Sequence, residues 1–195
     1  MVESLATKWF TVFTEALQRH EASAKLRQAA IDERLEPWTR ALTEVVVSTF
    51  TGMGWAGAAK GHRCRVLPVL REEYLSLDAV AFSPRAERQW EFPMAAFELE
   101  NARRDDTVAY SLWKVLAVRA ALRVVICYRG DSRQGSALIG HLAEGVVKAL
   151  GVDGRNSIGG ECLVVVGSRS DKDAFPFGFF KPWILDSRNA RFSRA

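Results

Sequence analysis

Met94-Ala95-Ala96-Phe97-Glu98-Leu99-Glu100-Asn101 is an apolar run that ends in two carboxylates one residue apart. A second run, Tyr74-Leu75-Ser76-Leu77-Asp78-Ala79-Val80-Ala81-Phe82, carries a third. Both read as buried strands, because near-continuous apolar stretches of this length fill strands covered on both faces. Side chains alternate along a strand, so Glu98 and Glu100 share one face. Carboxylates are rare in such surroundings unless paired or bound to a cation. If the two strands are neighbours, Asp78, Glu98 and Glu100 converge. Three ionised carboxylates repel one another and favour a divalent metal. A plainer reading stays open, in which Glu98 and Glu100 form the exposed face of an edge strand paired to Arg.

Outward from these runs, residues 4–33 are expected to be helical, with Leu5, Trp9, Val12, Phe13, Ala16 and Leu17 at helical spacing. Glu36-Pro37 marks a break and the start of a second helix, carrying Trp38, Leu42, Val45, Val46 and Phe50. Residues 54–61 read as a Gly- and Ala-rich loop. Strands are expected at about 62–70, 73–82 and 90–101. Asp105-Asp106-Thr107 gives an N-cap and a negative first turn to a helix over about 107–121. Leu122–Tyr128 is a β-branched strand, a helix spans about 134–150 with Gly151 at its C-cap, and Glu161–Gly167 is a further buried strand. The cluster Phe175, Phe177, Phe179, Phe180 and Trp183 is expected to be a strand or lid closing the core rather than a base-stacking platform. A meander of strands followed by β-α-β predicts an α/β protein with a mixed sheet flanked by helices. With 195 residues and no evident linker, one domain over 1–195 is expected. It would comprise an N-terminal helical extension at 1–33, a motif-bearing part at 37–128, and a C-terminal helix, strand and aromatic tail at 129–195.

The net charge is +4 and the composition is that of a water-soluble globular protein, 48% hydrophobic and 26% charged. No apolar run is long enough for a membrane helix, and Glu3 interrupts any leader-like start, so a cytoplasmic location is expected. Cys64, Cys127 and Cys162 have no zinc-knuckle spacing and read as small hydrophobes in strands. His20, His62 and His141 are scattered and lack metal-ligand spacing. Of the 27 basic residues, 20 are Arg, a side chain that forks phosphate well; a compositional bias toward Arg accounts for the same count. No P-loop, dinucleotide-binding or nucleophile-elbow motif is present.

The order of elements over 37–128, with Asp78 on the second strand and Glu98-Leu99-Glu100 on the third, resembles the PD-(D/E)xK nuclease superfamily. This is the restriction-endonuclease-like fold, with its α-β-β-β-α-β core. Asp78 matches the motif Asp, and Glu98-Leu99-Glu100 matches the (D/E)xK tripeptide with Glu100 in place of Lys. Leu77 stands where the family has Pro. Some members move the Lys to the following helix, and Lys114 suits that move, with Tyr110 one turn before it. The resemblance implies a Mg²⁺- or Mn²⁺-dependent deoxyribonuclease. Its metal ligands would be Asp78, Glu98 and the Leu99 carbonyl, with Glu44 as an accessory acid. Glu100 or Lys114 would orient or activate the attacking water, and Lys114 would stabilise charge on the phosphate. Arg103 and Arg104 would contact DNA phosphates. The chain has little extra material for sequence recognition, so narrow specificity would need a homodimer or a protein partner. The alternative is a catalytically silent nuclease-fold protein that binds nucleic acid or protein.

Overall fold

The computed structural model describes residues 3–31, 34–85 and 89–194. It is a mixed α/β protein with six α-helices and seven strands among the described residues. Two compact units are distinguished, Met1–Ala96 and Phe97–Ala195. Among the described residues no helix is long and apolar enough to cross a membrane.

The first unit opens with α1 (Leu5–Gln18), capped by Ser4, whose Oγ accepts from the Thr7 amide at 3.1 Å. Its Trp9, Phe13, Ala16 and Leu17 are buried at helical spacing, and the Trp9 and Phe13 rings stack with centroids 5.0 Å apart. Burying Phe13 alone contributes about 2–3 kcal/mol. The single helix expected over 4–33 is instead two. The backbone turns extended at Arg19 (φ −59°, ψ 129°), and α2 (His20–Ile31) starts immediately after. The expectations for residues 32 and 33, and for the His20 side chain, fall outside the described residues. Helix α3 (Leu35–Gly52) follows with Pro37 in its first turn, and it buries Trp38, Leu42, Val45, Val46 and Phe50.

Strand β1 (Ala56–Ala59) pairs antiparallel with β2 (Ala79–Phe82), Ala56 opposite Phe82. This first strand lies inside the stretch expected to be a loop. The stretch 62–70, expected as a strand, forms only bridges, Ala59 with His62 and Cys64 with Arg71. Pro68 lies within it and cannot donate to a ladder. Strand β2 is also shorter than expected. Leu75 and Ser76 take left-handed φ values of 58° and 54°, and the Leu77 amide closes a turn onto Tyr74 O at 3.0 Å. The Tyr74 hydroxyl donates to Val69 O and accepts from the Arg71 amide, pinning that turn. Strand β3 (Ala95–Glu100) begins at the end of this unit and continues into the second.

In the second unit the strand order is β3-β4-β5-β6-β7. Strands β4 (Leu122–Arg129) and β5 (Glu161–Ser168) run parallel, Val124 opposite Leu163. Each is buried along nearly its whole length, as parallel strands are. Strands β6 (Phe180–Asp186) and β7 (Arg191–Arg194) complete it antiparallel. Three of the five aromatic residues of the tail are core: Phe175, Phe179 and Phe180 are buried, with Phe179 edge-on to Phe180 at 4.9 Å and Tyr128 6.3 Å from Phe180, whereas Phe177 is exposed and Trp183 half-buried.

Helix α4 (Asp105–Leu116) joins β3 to β4. A carbonyl of its last turn and one just past its end are held by Arg123 of β4, only 3% exposed, whose Nε donates to Val115 O at 3.1 Å and to Val118 O at 3.0 Å. The Arg123 Nη1 donates to Gly159 O. Burial lowers the pKa of this guanidinium. Gly160, beside that contact, has φ +75°, and a Cβ there would meet the carbonyl oxygens of Ala121 and Ala120 at 2.4 and 2.6 Å.

Helix α5 (Ser132–Leu142) is capped by Asp131, which accepts from the Gln134 amide at 2.8 Å. It passes into a π-helical turn over Ala143–Val147 and then the short α6 (Gly151–Asn156). Lys181 of β6 donates to Ser132 Oγ and pairs with Asp171 Oδ2 at 2.5 Å. The three cysteines are free and buried, and burial pushes the Cys127 and Cys162 thiols up to about 12.

Candidate active site

The acidic strand β3 carries four buried residues, Ala95 to Glu98, and then emerges at Leu99 and Glu100. Alternation sends Glu98 and Glu100 to one face. Helix α4 follows within five residues, and its 3.6-residue period turns Ser111 and Lys114 toward that same strand. The result is two paired contacts in the second unit. Lys114 Nζ lies 2.7 Å from Glu98 Oε1, with side-chain exposures of 26% and 6%. Glu100 Oε2 accepts from Ser111 Oγ at 3.2 Å, and its Oε1 accepts from the Ala102 amide at 2.7 Å.

The Glu98 carboxylate is therefore compensated by an ammonium, as a buried charge requires. Helix α4 starts beside it with a negative first turn. Asp105 Oδ1 accepts from the nearly buried Arg129 Nη2 at 2.5 Å, and Asp106 pairs with Arg104 at 2.5 Å. The Arg104 guanidinium beside Asp106 holds its carboxyl below the ordinary aspartate value. Arg103 is exposed at the surface just before α4.

The remaining expected site residues belong to the first unit. Asp78 precedes β2 by one residue and is exposed. The expectation of a carboxylate inside a buried strand is thus corrected for Asp78, because the chain turns left-handed at Leu75 and Ser76 and β2 begins only at Ala79, and it stands for Glu98. Glu44 lies on α3, 42% exposed, 3.3 Å from Lys25 Nζ.

Among the described residues no group of three or more His, Cys, Asp or Glu side chains is arranged to hold a metal ion. The donors offered by β3 are the Glu98 and Glu100 carboxylates and the Leu99 carbonyl, all hard oxygens. That chemistry suits Mg²⁺, which binds through one or two carboxylates and keeps several of its waters. A cation at Glu98 would compete with Lys114 for the same oxygen.

Two residues of this arrangement escape a reading of the sequence. Ser111 looks like an ordinary helical Ser, although its position three residues before Lys114 is the signal that puts it on the same face. Arg129 lies one residue past the β-branched stretch Leu122–Tyr128, and nothing in its spacing points to Asp105.

No family model, curated protein or solved structure matches the chain.

Proposed function

We propose that this protein is a divalent-metal-dependent nuclease that hydrolyses DNA phosphodiester bonds, with a restriction-endonuclease-like core. The observation that carries the reading is the Glu98–Lys114 pair at 2.7 Å. An acid at the first position of the tripeptide and a lysine relocated to the next helix meet in space, as expected of a site in which that lysine replaces the missing motif Lys. The chain order α3-β1-β2-β3-α4-β4 also follows the α-β-β-β-α-β sequence of that core.

In this reading Lys114 supplies a cation for the non-bridging phosphate oxygens and orients the attacking water. Glu98 fixes the ammonium and offers its second oxygen to a metal. Glu100, held by Ser111 and the Ala102 amide, sets the backbone turn that leads into α4. Asp78, Glu98 and the Leu99 carbonyl are the ligands that the resemblance assigns to Mg²⁺ or Mn²⁺, and the ion, when bound, would supply a water of lowered pKa and neutralise developing charge. Arg103 and Arg104 contact phosphates. A cytoplasmic setting suits the three free, buried thiols, and a homodimer or a protein partner would sharpen specificity.

One observation favours a second reading, a silent nuclease-fold protein that binds nucleic acid or protein. Glu100 stands at the motif Lys position, and both of its oxygens are already engaged internally.

Cleavage of plasmid and single-stranded DNA with Mg²⁺ or Mn²⁺ decides between the two. The nuclease reading expects nicking that disappears in Asp78→Ala and in Glu98→Ala. Wild-type protein that cuts nothing, or cutting that survives both substitutions, leaves the silent scaffold.

A further inference from the structure

Resting on the nuclease reading above, we infer that the outer face of α4 is a stacking platform for unpaired bases, so that the substrate is single-stranded or locally unpaired DNA. Tyr110 and Trp113 are 60% and 50% exposed, with ring centroids 6.0 Å apart and planes inclined by 30°. They stand three residues apart, so consecutive turns present them as one continuous aromatic surface. The fold does not need them there. The inner face of α4 is already complete with Val108, Leu112 and Val115, each fully buried. Two large rings facing water on a helix that packs through its other side call for a ligand that covers them.

The charges that precede and follow the pair along the chain point to the ligand. Trp113 is followed directly by Lys114, the residue that reaches Glu98. Arg103 before the helix and Arg119 after it are exposed. The two acids of the first turn of α4 are engaged by arginine, Asp105 by Arg129 and Asp106 by Arg104. Aromatic faces flanked by cations are how single strands are held without sequence preference, bases on the rings and phosphates on the charges. Bases stacked inside an intact duplex have no free face to offer. The platform therefore selects unpaired DNA and delivers it beside Lys114.

The test is fluorescence anisotropy in EDTA with a labelled oligothymidine strand and a duplex of equal length. It compares wild type, Tyr110→Ala/Trp113→Ala and Tyr110→Phe/Trp113→Phe. Wild type is expected to prefer the single strand. The double Ala variant should weaken single-strand binding by about tenfold to a hundredfold with its melting temperature unchanged, and the double Phe variant should retain most of it. Unchanged single-strand affinity in the Ala variant overturns the inference. So does an equal loss on duplex and single strand, or self-association through this face that the Ala variant abolishes while DNA binding persists. Cleavage with Mg²⁺ is read separately. Wild type that binds strands through the rings and never cuts them sinks the nuclease reading alone. Cutting of single strands at the wild-type rate by the Ala variant sinks the platform alone.

Discussion

The ammonium of Lys114 on α4 sits 2.7 Å from the carboxylate of Glu98 on β3, and Glu98 is almost fully out of water. The two charges are mutually dependent, since a buried ion left without its partner is costly. Lys114→Met should lower unfolding stability by about 2–3 kcal/mol, and Glu98→Gln by less, because the amide carries no charge. The double variant should recover part of the loss. Urea unfolding of the three variants measures this coupling, and additive losses would show that the pair does not interact energetically.

The same pair predicts an opposition between lysine and metal. Removing Lys114 leaves the Glu98 carboxylate to a cation, so Mg²⁺ should raise the melting temperature of Lys114→Met more than that of wild type. It should fail to do so for Glu98→Gln. On the nuclease reading, activity should move the other way, with kcat of Lys114→Met falling about 10²–10³-fold for loss of a charge aimed at the transition state. Equal Mg²⁺ responses in all three proteins would remove Glu98 from the ligand set.

Arg123 is held by backbone carbonyls, those of Val115, Val118 and Gly159. Shortening it to Met leaves those acceptors unpaired beneath α4, and should cost about 2 kcal/mol. Lys, with a single donor centre in place of the planar fork, should rescue only part. Thermal unfolding of both variants checks the order wild type, Lys, Met.

Two glycines should respond in opposite senses. Gly160→Ala drives a Cβ into the Ala120 and Ala121 carbonyls at a φ of +75°, and should destabilise by about 2–4 kcal/mol. Gly140 is an exposed position of α5 with nothing within 4 Å of its Cβ direction, and Gly140→Ala should stabilise by about 0.5–1 kcal/mol. Denaturant midpoints that shift in the same direction would contradict this account of the two positions.

Asp171 gives a pH dependence with a defined sign. Lys181 first, and then Ser168 and Ser170, hydrogen-bond its carboxylate and hold it below the ordinary value of 3.8. The unfolded chain therefore binds the proton more readily. The stability from this contact is complete above 3.8 and is lost as the pH falls through the lowered folded-state value. Lys181→Met should move the Asp171 midpoint back up, a shift that carboxyl-carbon NMR titration would follow. A midpoint that does not move would assign the lowering to the serines.

How far the sequence could be read depended on how strongly each segment's pattern constrained it. Leu122–Tyr128 and Glu161–Gly167 are β-branched and lie within parallel strands. Asp105 and Asp106 form the expected negative first turn of α4, but they lie inside the helix, Arg104 holds the N-cap without a side-chain bond, and the helix spans Asp105–Leu116 rather than 107–121. Strand β1 is Ala-Gly-Ala-Ala, a composition with little strand preference of its own, and it is a strand through its pairing with β2. Residues 62–70 alternate like a strand yet hold only bridges. The placement of Lys114 on the helix after β3 was legible because helical phase is robust. The surroundings of Asp78 were not, because two consecutive left-handed non-glycine residues leave no signature in composition.

The clasp of Arg123 on the last carbonyls of α4 ties a helix end to the middle of a buried strand pair. Amide hydrogens in that last turn cannot exchange by ordinary end-fraying, which would have to break the guanidinium's bonds as well. Their exchange should follow the opening of β4 and β5, making the helix that carries Lys114 part of the slowest-opening cooperative unit of this half of the chain.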